Sequence, residues 1–214
     1  MEPNKTSLNS LILSTVSVIA VEIAARVAIG QGIFIPLFGI GLARICQIGL
    51  LILIVLRSEK SLTSIGIDRS NMAHGLKQGL TWSACFGIAA SLTFGIFLLA
   101  GVNALELFRT PLASGRGGIV FFFLIGAIIA PISEEIFFRG ILYGFFRQWG
   151  FMRALILSTI LFVLPHLAAH GIPITQIVGG LMFAAAYEVE KNLIVPIVIH
   201  SLGNTAIFAI AFIA

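Results

Sequence analysis

Composition alone excludes a water-soluble protein. Of the 214 residues, 58% are hydrophobic and 10% are charged, and the mean hydropathy is +1.08, whereas soluble domains carry about 25% charged residues. The formal net charge of +4 comes from lysines and arginines near the ends of apolar segments, with no basic stripe for nucleic acid. The chain is therefore predicted to be a multi-pass protein of the cell membrane. Its predicted partner is the lipid bilayer, and no nucleic-acid partner is expected.

The apolar segments predict an all-α bundle of about seven to eight transmembrane helices, forming one domain over residues 1–214. The first segment has a single lysine before it and no small-residue cleavage site after a short apolar core, so it is interpreted as a retained helix. A polar connection, 57–77, separates the second span from the third. In chain order the spans cover about 8–28, 33–56, 79–102, 118–146, 154–169, 172–187 and 193–214.

The fourth span is longer than a bilayer requires. Nearly 30 residues of helix would measure roughly 45 Å, more than the hydrocarbon thickness. The span must therefore tilt, protrude or break. Pro131 is the expected position of a kink, because proline lacks an amide donor and its ring clashes with the preceding turn.

Orientation is predicted from the lysines and arginines of the short loops. The loops after the second, fourth and sixth spans are the more basic, so they are predicted to face the cytoplasm, with the amino terminus outside. The basic residues of these loops are Arg57, Lys60, Arg69, Lys77, Arg147, Arg153 and Lys191, against Lys5, Arg109 and Arg116 on the other side.

Three polar residues on different helices are predicted to lie at similar depth. Counted along each helix from the cytoplasmic-side charges, Glu134, His166 and His200 lie roughly 20, 20 and 14 Å deep. Intramembrane charges are costly and mark functional sites by default. The three side chains are therefore expected to converge, with the site open to the cytoplasmic half of the membrane.

The segment APISEEIFFRG contains two different carboxylates. Glu135 and Arg139 are four residues apart, so their side chains meet on one helical face, while Glu134 points about 100° away. Arg139 is expected to hold Glu135 ionised. Glu134 remains free to act as a general base, provided that water and a reacting group reach it.

The two histidines have partners at the same helical spacing. In HSLGN, His200 and Asn204 share a face, and both can donate hydrogen bonds to an oxyanion developing on a peptide carbonyl. In FVLPH, Phe162 and His166 share a face. His166 could polarise a water molecule together with Glu134.

Each feature also has a purely structural interpretation. An intramembrane histidine can hydrogen-bond across helices, and a Glu–Arg pair can be a clamp. Glu22 and Arg26 have the same spacing with no histidine beside them, so a structural ion pair is predicted there. Glu188 and Glu190 are interpreted as solvated loop charges.

The ordered motifs resemble those of the CPBP family, also called the ABI family, which includes CAAX prenyl endopeptidases and bacteriocin-processing or immunity-associated membrane proteins. The family motifs EExxxR, FxxxH and HxxxN match Glu134-Glu135 with Arg139, Phe162 with His166, and His200 with Asn204. The resemblance covers a core of about 118–214. The first three spans contribute nothing to it.

The resemblance implies an intramembrane endopeptidase with its active site inside the bilayer. Glu134 and His166 would activate the attacking water, and His200 and Asn204 would stabilise the oxyanion. Glu135 with Arg139 would orient the site. Substrates would be membrane-associated: prenylated carboxyl-terminal tails, leader peptides or membrane regulators. Pro165, before His166, departs from the small residue expected in relatives and could shift that histidine.

A cofactor is not expected. Two glutamates and two histidines could bind zinc, but the chain has no HExxH motif, in which both histidines lie one turn apart on one helix. A metal-independent, glutamate-dependent hydrolase is therefore the favoured hypothesis.

Two other functions remain open from sequence. A proton-coupled transporter also needs intramembrane Glu, His and Arg, although no repeat symmetry is visible. A non-catalytic scaffold or immunity protein of the same fold could lose a motif residue without penalty, and every motif residue is present here.

Overall fold

The computed structural model describes residues 6–102, 116–167 and 173–213, and all regular structure in these ranges is helical. Five of its helices are long and apolar enough to cross a membrane. This confirms the predicted helical membrane bundle, with seven helices in the described ranges. They are α1 (Leu8–Gly30), α2 (Pro36–Ser58), α3 (Met72–Leu99), α4 (Gly118–Trp149), α5 (Phe151–His166), α6 (Ile174–Glu190) and α7 (Ile194–Ile213).

Helix α4 is central to the bundle. Helices α2 and α7 pack on the amino-terminal half of α4, and helices α5 and α6 pack on its carboxyl-terminal half. Helix α1 packs mainly on α2. Helix α3 is peripheral, because it packs mainly on α7. Parts of the predicted loops and spans, namely Lys5, Arg109 and residues 168–172, lie outside the described residues.

Helix α4 widens twice along its length. Wider, π-helical turns form Leu124–Ile129 and Ile136–Tyr143, and an α-helical segment, Ala130–Glu135, lies between them. The amide of Ala130 bonds to the carbonyl of Ile125, five residues back. The irregularity expected at Pro131 is therefore a change of helix type just before it, and such π-helical turns are frequent at functional sites.

The amino terminus lies beside the loop that follows α2. The amide and the hydroxyl of Ser7 donate to Glu59 Oε1 at 2.9 and 2.7 Å, and Ser10 Oγ donates to it at 2.5 Å. Desolvation raises the pKa of Glu59, but these hydrogen bonds outweigh it and lower the pKa below its ordinary value of 4.5. The prediction that the amino terminus and this loop face opposite sides was wrong, since α1 and α2 form one antiparallel hairpin.

Glu188 and Glu190 are bonded and are not solvated loop charges, so that interpretation was wrong. Glu188 pairs with Arg147 Nη2 at 2.9 Å and with Lys191 Nζ at 2.7 Å, and it accepts a hydrogen bond from Tyr143. Glu190 accepts a hydrogen bond from a tryptophan of α3. These contacts join α6 to the end of α4 and to α3.

The predicted Glu22–Arg26 pair does not form. Arg26 is exposed, and Glu22 pairs instead with Arg44 of α2. The spacing along α1 allowed the pair. The neighbouring helix supplies a better-placed guanidinium, because α1 and α2 pack along their length.

Candidate active site

Glu135 and Arg139 form the predicted i, i+4 pair at the centre of the bundle. Both side chains are fully buried, and Arg139 Nη1 donates to Glu135 Oε1 at 2.9 Å. Arg139 Nη2 donates to the carbonyl of Gly180 in α6 at 3.2 Å. A buried ion pair needs such further hydrogen bonds, since desolvation of two charges is costly.

Aromatic rings surround the guanidinium. The Cζ atom of Arg139 lies 4.4 Å from the ring centroid of Phe162 and 5.2 Å from that of Phe183. A side chain at Gly180 would meet Phe162 at 3.2 Å and Thr159 at 2.9 Å, so this glycine permits the close approach of α5 and α6. The rings add cation–π attraction to a guanidinium that is fully buried.

His200 lies between the two carboxylates. Its Nδ1 is 2.7 Å from Glu135 Oε1, and its Nε2 is 3.9 Å from Glu134 Oε2. With Glu135 ionised, the carboxylate can only accept a hydrogen bond, so Nδ1 carries a proton and Nε2 faces Glu134. The ring of Phe183 stacks on His200 with 4.6 Å between centroids and fixes the plane of the imidazole.

Glu134 differs from Glu135 in its surroundings. Its side chain is 18% exposed, whereas that of Glu135 is 0% exposed. The bundle therefore separates one internal, paired carboxylate from one accessible carboxylate, as the spacing predicted. The imidazole nearest to Glu134 is that of His200. Among the described side chains, no hydrogen bond or ion pair joins Glu134 to His166.

His166 lies in the last turn of α5, which narrows to a 3₁₀ turn over Leu164–His166 and contains Pro165. Its Nδ1 is 2.9 Å from the carbonyl of Phe162. A carbonyl oxygen only accepts, so Nδ1 carries the proton and Nε2 is the free acceptor of the neutral ring. The Phe162 ring contacts both this imidazole, at 5.2 Å between centroids, and the guanidinium of Arg139.

Asn204 joins α7 to α4. Its Nδ2 donates to the carbonyl of Gly126 at 2.9 Å, within the first π-helical stretch. One of its two amide hydrogens is thus used inside the protein. The second amide hydrogen and Oδ1 are left for other partners.

Sequence reasoning missed the contribution of α6. Gly180 and Phe183 position Arg139 and His200, but a glycine and a phenylalanine in an apolar helix carry no signal of that role. It also missed Gln47 and Ser133, a buried polar pair that joins α2 to the segment Ala130–Glu135 of α4. The available signal was that Gln47 and Ser133 are polar residues inside apolar spans, where a polar side chain needs a partner.

Metal ligands are not assembled around a common point. Within the ranges that the structure describes, no three His, Cys, Asp or Glu side chains are grouped as a metal site requires. The Nδ1 atom of His200 is already bonded to Glu135.

Comparison with known proteins identifies similarity in the part of the chain that carries the site. The family model described as type II CAAX prenyl endopeptidase Rce1-like matches residues 116–206. The chain is 35% identical over 92 residues to the membrane-embedded CAAX protease MroQ of Staphylococcus aureus (strain USA300), covering 40% of this chain and 36% of that protein.

A second relative has no assigned activity. The chain is 28% identical over 136 residues to an uncharacterized 24.3 kDa protein of Escherichia coli, covering 59% of this chain and 62% of that protein. The chain thus spans less than two thirds of the length of either relative. No solved structure matches it significantly.

Proposed function

Since residues 116–206 match the model of Rce1-like type II CAAX prenyl endopeptidases, which confirms the resemblance of the three motifs, we propose that this integral membrane protein is an intramembrane endopeptidase. The observation that carries the proposal is the meeting of Glu134, Glu135 and His200 inside the bundle. They lie on α4 and α7, both long enough to span the membrane.

In the proposed reaction, Glu134 is the general base. It accepts a proton from water as the water oxygen attacks the peptide carbonyl, and the proton then passes to the departing amine. The free Nε2 of His166 accepts a second hydrogen bond from that water, which aligns its lone pair. The accessibility of the Glu134 side chain supports this role, because a base must be reached by water and substrate.

His200 and Asn204 are proposed to stabilise the oxyanion. Since His200 Nδ1 is bonded to Glu135, the imidazole donates to the oxyanion from Nε2, and it does so as the imidazolium. Glu135 stabilises that cation and orients the ring, as the buried carboxylate does in Ser–His–Asp hydrolases. The second amide hydrogen of Asn204 completes the donor pair.

The proposed substrates are membrane-associated peptides whose scissile bond reaches the middle of the bundle. Prenylated carboxyl-terminal tails, leader peptides and membrane regulators all meet this requirement. The proposed location is the cytoplasmic membrane, with the site open to the cytoplasmic half, where the basic residues of 57–77 and 147–153 would lie.

Quantitative proteomics of native membranes tests the proposed function. Cells producing the wild-type protein are compared with cells producing equal amounts of Glu134→Ala. We expect at least one membrane-associated peptide whose cleavage disappears in the variant. Identical peptide profiles at equal protein levels would contradict the protease and favour a non-catalytic membrane scaffold.

The proposed chemistry needs no metal ion. We expect the purified protein to keep at least half of its cleavage rate after incubation with a chelator, because water activation is assigned to a carboxylate and an imidazole. The measurement is the initial rate on the cleaved peptide, before and after chelation. Loss of the rate with EDTA and its return with zinc would refute metal independence.

A further inference from the structure

Gln47 is a polar residue in the apolar stripe of α2. Buried residues recur every fourth position along this helix, at Ala43, Gln47, Leu51 and Val55, and the other three are apolar. The side chain of Gln47 is 2% exposed. A leucine would fill this position without a polar group to satisfy, so the amide at this position calls for an explanation.

The amide of Gln47 connects three helices. Its Oε1 accepts from Ser133 Oγ of α4 at 3.1 Å and from Arg44 Nη1 at 2.7 Å. Its Nε2 donates to Glu22 Oε1 of α1 at 3.0 Å, and Glu22 also pairs with Arg44. We call these four side chains the Gln47 network. It ends on the residue directly before Glu134.

Stability does not account for the network. Charged side chains inside a bilayer cost more than an interhelical hydrogen bond returns. Proton transfer does not account for it either. A guanidinium stays protonated and an amide is a poor relay, so Arg44 and Gln47 would interrupt any path between Glu22 and Ser133.

The site segment of α4 has a particular need for lateral support. Ala130–Glu135 is α-helical, but π-helical turns precede and follow it. The regular i→i+4 hydrogen bonding of one continuous α-helix is therefore interrupted at both ends of this segment. Ser133 faces α2 and Glu135 contacts α7, so bonds on two sides hold the segment.

Small rotations of this segment would matter to the chemistry. A carboxylate about 5 Å from the helix axis moves about 1 Å for a 10° rotation. Displacement of a reacting group by about 1 Å can lower a rate about 100-fold. The 3.9 Å between Glu134 Oε2 and His200 Nε2 depends on this angle.

We propose that Gln47, held by the Glu22–Arg44 ion pair, is a positioning residue for the site segment Ala130–Glu135. Its bond to Ser133 sets the angle at which Glu134 faces His200. The inference rests on the proposed function. It gives a role to α1 and α2, which lie outside the matched range 116–206.

The test compares Gln47→Leu, Ser133→Ala and the double variant with wild type. Ser158→Ala is the matched control, because Ser158 is also a buried serine on a helix but bonds only to a backbone carbonyl of its own helix. Two quantities are measured: kcat and KM on the cleaved peptide, and modification of Glu134 by a hydrophobic carbodiimide. Modification is quantified by mass spectrometry relative to Glu190.

We expect each single variant to lower kcat at least tenfold with KM within threefold of wild type. The double variant should fall no further than Gln47→Leu, because both changes remove the same bond. Carbodiimide modification of Glu134 should rise at least threefold in all three, since the carboxyl group is no longer held beside His200. Ser158→Ala should match wild type in both measurements.

Wild-type modification of Glu134 in both single variants, or kcat losses that multiply in the double variant, would overturn the proposal. The carbodiimide measurement requires no activity. If wild type cleaves no peptide, the proposed function fails while the positioning of Glu134 is still decided by the labelling. If Gln47→Leu does not fold, Ser133→Ala alone decides it.

Discussion

Replacing Glu134 with glutamine is expected to lower kcat for peptide cleavage about 100- to 10,000-fold, the range that a general base contributes. Glutamine keeps the size of the side chain but cannot accept the proton of the attacking water. The melting temperature should stay within about 2 °C of wild type, because the side chain is partly exposed and makes no short hydrogen bond. Initial rates and thermal unfolding of the purified protein provide the measurements.

Glu59→Gln is the matched control for this substitution. It makes the same chemical change at a glutamate that joins α1 to the end of α2 and lies outside the site. We expect its kcat to stay within threefold of wild type. If Glu134→Gln retained more than a third of the wild-type kcat, Glu134 would not be the base.

Replacing Arg139 with methionine is expected to destabilise the protein by about 3–5 kcal/mol, the cost of breaking a buried ion pair from one side. Glu135 would stay fully buried with its guanidinium partner gone. The double variant Arg139→Met/Glu135→Leu removes both charges and should recover most of the stability. It should remain inactive, because His200 loses the carboxylate that stabilises its imidazolium. Equilibrium unfolding in mixed micelles and cleavage rates measure these effects.

Arg147→Met is the control for the buried pair. Arg147 and Glu188 form a partly exposed ion pair at the end of α4, and Glu188 keeps Lys191 and Tyr143 as partners when Arg147 is replaced. Pairs open to solvent contribute about 0–1 kcal/mol. We therefore expect a loss of about 1 kcal/mol or less. An equal loss in Arg139→Met and Arg147→Met, or no recovery in the double variant, would show that the buried pair does not have the predicted energetic role.

The membrane spans were predictable from sequence because the bilayer demands long apolar helices whatever the rest of the fold. The fourth span, predicted over 118–146, forms Gly118–Trp149. The fifth begins earlier than predicted, at Phe151, because Gly150, at φ +103°, separates it from α4. A glycine turn of this kind carries no hydropathy signal, so window-based reasoning placed the boundary too late.

The candidate site was predictable in part. Spacing along one helix correctly paired Glu135 with Arg139 and separated Glu134 from both. Spacing did not indicate that His200 would contact Glu135. The same reasoning paired Glu22 with Arg26, where the structure pairs it with Arg44.

Composition and spacing were enough to predict a helical membrane protein, to single out the candidate residues for its chemistry and to indicate which of them share a helical face. These properties follow from composition and from the 3.6-residue period of the helix. The folded bundle alone shows which faces meet: His200 between two carboxylates, α6 around Arg139, and Gln47 against Ser133. Contacts between helices depend on their packing order and rotation, and no spacing within a single helix encodes either.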